Sequence, residues 1–160
     1  MPIEFKKGNI FDQDVEVFVN PVNCVGVLGA GLALAFSKEF PWIIAPYKKA
    51  CQSNELKIGA VQYLLRDLPV RTHSIINFPT KDHWKNKSLL SHIKLGLKDL
   101  RSTIIQCSIH SIAIPPLGCG LGGLKWPSVK KLITSQLSDL PTCLVIILEP
   151  TGGQFSKGFR

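Results

Sequence analysis

The sequence has little charge and no long hydrophobic run. Charged residues make up 19% of its 160 residues, and the longest apolar stretch is the glycine-rich segment VGVLGAGLALAF. This stretch is too short to cross a bilayer, which takes about 20 apolar residues in a helix. The N-terminal segment MPIEFKKGNI also lacks the apolar core of a secretory signal. We therefore expect a cytoplasmic protein with no membrane segment.

Cysteine is scarce and follows no pattern. Its five copies are odd in number and widely scattered, and no CxxC pair or Cys/His cluster has the spacing of zinc ligands. We expect reduced thiols that mostly fill the core, and neither a metal ion nor another cofactor. Cys119 lies among glycines, but the sequence places no histidine beside it, which argues against a thiol nucleophile.

Repeats, low-complexity tracts and Ser/Gly linkers are also missing, so we expect one domain over residues 1–150. We expect the tail, residues 151–160, to be loosely ordered. The net charge of +8 favours an anionic partner such as a phosphate, a nucleotide or a nucleic acid. It is equally consistent with charge that only serves solubility.

Apolar patterns along the chain predict strands that alternate with helices. A first strand, VEVFVNPV, ends near Asn20, and a helix over GLALAFSKEF stops at Pro41. A second helix covers about 45–53, and residues 88–107 repeat apolar positions at helical spacing behind Ser88, a suitable N-cap. A last helix opens at Pro127 and Ser128. The remaining strands are AVQYLL, SIINF, SIAIPP and CLVIIL. This order predicts an α/β sheet covered on both faces.

Two glycine-rich loops, NPVNCVGVLGAG and IPPLGCGLGG, each lead from a strand toward a helix. Both are expected at the carboxyl edge of the sheet, where backbone N–H groups beside a helix N-terminus can hold phosphate. Neither is a GxGxxG fingerprint, and no GKS or GKT follows. One such loop alone is often only a tight connection. Two together, with Asn20 and Asn23 offering amides to ribose hydroxyls, favour a ligand site.

A lysine, Lys81, follows the predicted strand SIINF directly, within the segment NFPTKDHW. Most loop lysines are solvated charges. Here the lysine is expected at the same sheet edge as the two glycine loops, which makes it a candidate reactive group. Neighbouring Lys85 and Lys87 and burial under Trp84 would lower its pKa, whereas Asp82 and a bound diphosphate would raise it.

The chain resembles the macrodomains, ADP-ribose-binding modules, through GNIF, NPVNCVGVLGAG and PPLGCGLGG. The segments NFPTKDHWKNKS and PPLGCGLGGLKW resemble its DarG-type branch, enzymes that remove ADP-ribose from thymidine bases in DNA. The resemblance implies a three-layer α/β/α macrodomain sandwich with a mixed central sheet. It also implies ADP-ribosylated DNA as the partner and a functional link to a toxin that ADP-ribosylates DNA. We expect a monomer, although the sequence carries no signal for the oligomeric state.

The resemblance assigns catalysis to Lys81. His83 is a candidate catalytic base or base contact, although a loop histidine more often only packs or hydrogen-bonds. Trp84 and Trp126 either stack on a flipped base or close the core. The expected ADP-ribose contacts are Asn9, Ile10, Asn20, Asn23, Leu28, Gly29, Gly31, Leu32, Thr80, Pro116, Leu117, Gly118, Cys119, Gly120, Leu121 and Gly122.

Two departures from relatives keep alternatives open. Asn9 stands where many macrodomains have aspartate, and Gly122 stands where the branch that cleaves ADP-ribosyl-glutamate has aspartate. The favoured function is a DNA ADP-ribosylglycohydrolase. The alternatives are a non-catalytic ADP-ribose reader, a hydrolase of ADP-ribosyl-glutamate on proteins, and a plain single-strand nucleic-acid binder. Lys81 acts either as a neutral amine that attacks the sugar or as a cation that stabilises the leaving base.

Overall fold

Six strands and four helices alternate along the chain in the computed structural model, which describes residues 3–66 and 73–151. The strands are Ile3–Lys6 (β1), Val17–Val22 (β2), Gln62–Leu64 (β3), Ser74–Pro79 (β4), Ser111–Ile114 (β5) and Leu144–Leu148 (β6). The helices are Gly31–Glu39 (α1), Ile44–Gln52 (α2), Leu90–Gln106 (α3) and Trp126–Leu137 (α4), with short 3₁₀ turns at Ile10–Asp12 and Pro41–Ile43. Beyond Thr151, the tail expected to be loosely ordered lies outside the described residues.

The strands form one mixed sheet in the order β1-β6-β5-β2-β4-β3. Every neighbouring pair is parallel except β3 and β4, which are antiparallel. Because five strands point the same way, the segments that follow them meet at one edge of the sheet. Strand β1 was not predicted, since it has only four residues and most of them are exposed, so its apolar pattern is weak.

Side chains of the central strands alternate between two separate apolar clusters. Val17, Val19, Ile76 and Phe78 face α3 and α4, whereas Phe18 and residues of the neighbouring strands face α1 and the Pro41–Ile43 turn. This alternation follows from the two-residue period of a strand. The predicted three-layer α/β/α sandwich is confirmed. None of the described helices is long and apolar enough to cross a membrane.

The start of α3 differs from the prediction. Leu89, not Ser88, occupies the N-cap position, and it makes no side-chain capping bond. The Ser88 backbone N–H instead donates to the Gly122 carbonyl at 3.0 Å, and the Ser88 side chain is buried. Ser88 therefore belongs to the packing of the second glycine loop, which the helical periodicity of the sequence could not reveal.

Helix α3 approaches the sheet closely at Gly96. A Cβ built at Gly96 would overlap the Phe78 ring on β4, with its Cε1 atom at 2.7 Å. Both residues are buried, so neither has free space to move into. The glycine thus sets the distance between α3 and the sheet.

Gly96→Ala should destabilise the fold by about 1–3 kcal/mol, although alanine favours helix, because the extra methyl group overpacks the interface. The measurement is the free energy of unfolding in urea. The matched control is Ser102→Ala at an exposed position of α3, expected within about 0.5 kcal/mol of the unmodified protein. A neutral or stabilising effect of Gly96→Ala would contradict the packing described here.

Candidate functional site

The two central strands β2 and β5 pair over a short distance and then separate. Their register contains only two residue pairs, Val17 with Ile112 and Phe18 with Ala113. After β2 the chain continues to β4 on one side of the gap, and after β5 it continues to β6 on the other side. The gap is therefore the topological switch point of the sheet. Crevices at such points are where open α/β sheets bind ligands.

A cavity of about 420 Å³ fills this crevice. It lies between the loop after β2, the segment after β4 and the loop after β5. Its lining residues are Pro21, Val22, Asn23, Val27, Gly29, Ala30, Gly31, Leu32, Ala33, Thr80, Lys81, Trp84, Pro115, Pro116, Gly118, Cys119, Gly120, Leu121, Gly122 and Pro150. A cavity of this size suits a nucleotide-sized ligand.

Asn23 shapes the first glycine loop. Its Oδ1 accepts hydrogen bonds from the N–H groups of Val25 at 3.1 Å and Val27 at 3.3 Å, and its Nδ2 donates to the Val27 carbonyl at 2.8 Å. The hydroxyl of buried Tyr47 on α2 donates to the same Oδ1 at 2.8 Å. Most of the hydrogen-bonding capacity of Asn23 is thus used inside the protein. Its predicted contact with ribose stays a prediction.

The N-terminus of α1 opens directly into the cavity, since residues 29–33 all line it. The N-cap residue Ala30 makes no side-chain bond to the first turn, and that turn contains no acidic residue. The free backbone N–H groups and the positive end of the helix dipole therefore face the cavity unneutralised. This arrangement favours an anionic group such as a diphosphate.

The second glycine loop is packed tightly on Ser88. The Gly118 carbonyl accepts from the Leu124 N–H at 2.9 Å, and Gly118 has a φ of +74°. A Cβ built at Gly122 would overlap Ser88 Oγ and lie 2.6 Å from the Gly118 carbonyl oxygen. Gly122 therefore leaves no space for a side chain. The aspartate found at this position in the glutamate-cleaving branch does not fit the loop in this conformation.

Lys81 is held at the cavity by its two neighbours in the chain. The Thr80 N–H donates to the Val22 carbonyl at 2.9 Å, and the Asp82 carbonyl accepts from the Cys24 N–H at 2.9 Å. These bonds continue the pairing of β4 with β2 beyond the strands and fix the backbone of Lys81 against the first loop. The lysine is consequently not a freely moving loop residue.

The amine of Lys81 is half-buried and forms no ion pair with any residue that the structure describes. Burial lowers the pKa of Lys81 below its ordinary value. Burial alone accounts for this shift, so the predicted influences of Lys85, Lys87 and Asp82 on the pKa are not needed to explain it. The neutral amine is favoured relative to a solvent-exposed lysine.

Lys81 is the only charged side chain among the described residues that line the cavity, which include no aspartate, glutamate or histidine. Cys119 also lines it, but burial raises the pKa of Cys119 to about 12, and its Sγ–H donates to the Leu117 carbonyl at 3.6 Å. The thiol is thus protonated and a poor nucleophile near neutral pH. Across residues 3–66 and 73–151, no cluster of three or more His, Cys, Asp or Glu residues is placed to hold a metal ion.

The two tryptophans near the loops have different surroundings. Trp84 lines the cavity with half of its surface exposed, and the Lys85 Nζ lies 5.3 Å from its ring centroid. Trp126 packs against the core, and its Nε1–H donates to Glu149 Oε2 at 3.1 Å. Of the two roles left open for Trp126, the structure favours closing the core.

His83 does not line the cavity, and its Nδ1 accepts from the Lys85 N–H at 3.1 Å.

Most predicted contacts meet at the cavity, but several do not. Asn20 is fully buried, and its Nδ2 donates to Asn77 Oδ1 at 3.0 Å. Asn77 Nδ2 in turn donates to Gln62 Oε1 at 3.0 Å, and Gln62 Nε2 donates to the Pro46 carbonyl at 3.0 Å. This chain of amides connects β2, β4, β3 and α2. The structure therefore places Asn20 inside the sheet and outside the described cavity lining.

Two leucines predicted as contacts pack against apolar clusters. Leu28 is partly buried against the cluster around Tyr47, and Leu117 is fully buried in the core beneath the second loop. Neither lines the cavity. Both sit beside glycines in the loops that do line it, so alternation of loop residues between the cavity and the interior explains the difference.

The predicted adenine contacts lie at the same sheet edge, outside the cavity lining. Asn9 caps the Ile10–Asp12 turn, with its Oδ1 accepting from the Phe11 N–H at 2.9 Å, and Ile10 is buried. The turn follows β1, whose partner β6 leads to Pro150 in the cavity wall. The adenine role of Asn9 and Ile10 stays a prediction.

Sequence reasoning missed seven lining residues: Pro21, Val22, Val27, Ala30, Ala33, Pro115 and Pro150. Most of them lie at or just after the carboxyl ends of parallel strands, whereas Val27 lies in the first glycine loop, Ala30 is the N-cap of α1 and Ala33 lies in its first turn. Pro150 follows β6, the last predicted strand. Because the carboxyl ends of parallel strands meet at one edge of the sheet, Pro150 could have been predicted to line the same site.

Gly122→Ala should destabilise the protein by about 1–3 kcal/mol and weaken ADP-ribose binding, because the new methyl group displaces the second loop from Ser88. The matched control is Gly120→Ala in the same loop, where a built Cβ meets nothing within 4 Å. Its effect on the free energy of unfolding should stay within about 0.5 kcal/mol. The measurements are urea unfolding and calorimetric binding; equal destabilisation by the two variants would contradict the packing argument.

Comparison with known proteins supports the family suggested by the loops. A family model described as Macro domain matches residues 19–133. The protein named DNA ADP-ribosyl glycohydrolase in Mycobacterium tuberculosis is 41% identical over 151 residues, which cover 94% of this chain and 43% of that protein. Its namesake in Thermus aquaticus is 42% identical over 148 residues, covering 92% of this chain and 41% of that protein. The chain thus spans about two fifths of the length of these curated relatives.

Solved structures give the same result. The macrodomain of Thermus aquaticus DarG superposes with a TM-score of 0.88 at 42% identity, covering 92% of this chain and 98% of that chain. Thermosipho africanus DarTG in complex with ADP-ribose superposes with a TM-score of 0.87 at 31% identity, covering 99% of this chain and 45% of that chain. With the family model matching most of the chain and these folds superposing over nearly all of it, the chain belongs to the macrodomain family.

Proposed function

We propose that the protein is a glycohydrolase that removes ADP-ribose from thymidine bases in DNA. The observation that carries the proposal is the position of Lys81, the only charged residue in the described lining of a cavity between two phosphate-type loops. Relatives at 41% and 42% identity are named DNA ADP-ribosyl glycohydrolase, and a relative in Thermosipho africanus is named a fusion of a DNA ADP-ribosyl transferase with such a glycohydrolase. These names support the substrate class and a functional link to a DNA-modifying transferase.

The proposed binding mode places the diphosphate between the N-terminus of α1 and the second glycine loop. The uncapped helix end supplies backbone donors and a partial positive charge. Gly118, Gly120 and Gly122 let the opposite backbone approach closely. The terminal ribose then lies toward Thr80 and Lys81, on the side where the modified base leaves the cavity.

Lys81 acts in this proposal as a nucleophile. Its neutral amine forms a bond to the anomeric carbon as the bond from that carbon to the thymine nitrogen breaks with its electron pair. The amine loses one proton, which the departing base takes up. The aminated ribose opens to an imine as its ring oxygen takes the second amine proton, and water hydrolyses the imine to release ADP-ribose and the free lysine. The pKa of Lys81, lowered by burial, supports this role over that of a permanent cation.

The packing of Gly122 argues against cleavage of ADP-ribosyl-glutamate by the route of the related branch. That route uses an aspartate at this position, and a side chain there would overlap Ser88. A non-catalytic reader would have no need for a desolvated lysine held against the cavity. The glycohydrolase acting on DNA is therefore the function that the geometry favours.

Lys81→Ala should lower the rate of ADP-ribose release from an ADP-ribosylated thymidine oligonucleotide by a factor on the order of 10³ or more, since it removes the nucleophile. Binding of free ADP-ribose should persist, because the glycine loops remain. Lys81→Arg keeps the positive charge but should be similarly inactive. Release is followed by chromatography and binding by calorimetry.

The matched control is Lys94→Ala, at an exposed position of α3 outside the cavity lining, which should behave as the unmodified protein. Borohydride added during turnover should reduce the imine and leave a stable adduct that mass spectrometry locates at Lys81. Full activity of Lys81→Ala would overturn the catalytic role of Lys81, and no release of ADP-ribose by the unmodified protein would leave only a reader. An active Lys81→Arg without any adduct would replace the nucleophile with an electrostatic role.

The pH dependence separates the two roles of the lysine. Below the pKa of Lys81 the neutral fraction, and with it kcat/KM, should rise about tenfold per pH unit. Because burial lowers this pKa, the rise should level off below the ordinary lysine value of about 10.4. A lysine that acts as a cation predicts the opposite, a rate that falls as pH increases through the pKa.

A further inference from the structure

Trp84, Lys85 and Lys87 form a surface at the mouth of the cavity, here called the Trp84 rim. The Trp84 ring is half-exposed, and the Lys85 Nζ lies 5.3 Å from the ring centroid. Lys87 reaches the second glycine loop, since a Cβ built at Gly123 would lie 3.6 Å from its Nζ. The rim therefore runs from the Lys81 side of the cavity to the edge of the second loop.

The backbone of the rim is organised and not extended freely into solvent. The Lys85 N–H donates to His83 Nδ1 at 3.1 Å, and the Asn86 N–H donates to the His83 carbonyl at 3.0 Å. This turn presents Trp84 at its tip, with the His83 ring centroid 5.3 Å away. An exposed tryptophan held in this way is available to stack on a ligand, and it fills no space in the core.

The cations of the rim are unpaired. Within the described residues, neither Lys85 nor Lys87 forms an ion pair, as is also true of Lys81. Three lysines thus follow one another within seven residues with no carboxylate bound to any of them. Such a surface attracts a chain of phosphates, and the tryptophan offers the flat face on which a base stacks.

We infer that the Trp84 rim binds the single-stranded DNA to which the ADP-ribose is attached, an inference that rests on the proposed function. The base that leaves must lie beyond the terminal ribose, hence outward from Lys81 and next to Trp84. Trp84 stacks on the modified thymine or its neighbour, while Lys85 and Lys87 neutralise flanking phosphates. The rim thereby selects DNA-linked ADP-ribose over the same group on a small molecule.

The test compares Lys85→Gln/Lys87→Gln with the unmodified protein in binding an unmodified single-stranded thymidine oligonucleotide at several salt concentrations. Removing two phosphate contacts should reduce the slope of log affinity against log salt by about 1.4. The control pair Lys94→Gln/Lys98→Gln removes the same charge from the exposed face of α3 and should leave the slope unchanged. An unaltered slope in the rim variant, or an equal change in the control, overturns the inference.

A second measurement uses Trp84→Ala and the conservative Trp84→Phe. With an ADP-ribosylated oligonucleotide, Trp84→Ala should lower kcat/KM by about tenfold or more, and Trp84→Phe should restore much of it, since an aromatic face remains. Lys85→Gln/Lys87→Gln should also lower kcat/KM on the oligonucleotide, and this loss should vanish with ADP-ribosyl-thymidine, a nucleoside that has no flanking phosphates. Equal losses of the double lysine variant on both substrates would overturn the role in DNA binding. No cleavage of either substrate by the unmodified protein would instead overturn the proposed function.

Discussion

The short pairing of β2 with β5 is the constraint on which the rest of the site depends. Two residue pairs hold the strands together, and beyond Phe18 and Ala113 they separate. The separation lets β2 carry Pro21, whose missing N–H would interrupt a fully paired central strand. It also brings the two glycine loops to opposite walls of one crevice. The gap in the sheet thus determines where the cavity, the N-terminus of α1 and Lys81 lie.

The layered fold and the two loops could be predicted because each rests on a local signal. The strands β2 and β4 are rich in β-branched and aromatic apolar residues, and the loops have glycine between a strand and a helix. Lys81 was predictable for a related reason, since it follows a parallel strand and must lie at the ligand edge. The sequence could not show that Lys81 is half-buried and forms no ion pair with any described residue, because both depend on residues distant in the chain.

The errors have a common physical origin in contacts between segments remote in sequence. Ser88 looked like a helix cap, but its backbone N–H donates to the Gly122 carbonyl in the second glycine loop. Asn20 looked like a ribose ligand, but its amide faces Asn77 in the neighbouring strand. The amide of an asparagine suits a sugar and a buried partner equally well. Only the register of the strands decides whether the Asn20 amide meets a sugar or a buried partner. The pattern of residue types does not reveal that register.

The chain of amides from Asn20 to Pro46 has a consequence for ligand affinity. It connects the middle of the sheet to α2, whose Tyr47 hydroxyl holds Asn23 and the first loop. Because these bonds exist before any nucleotide arrives, little conformational entropy remains to be lost when the loop closes around a diphosphate. The short antiparallel edge strand that carries Gln62 thus supports the helix behind the first loop, although Gln62 lies outside the described cavity lining.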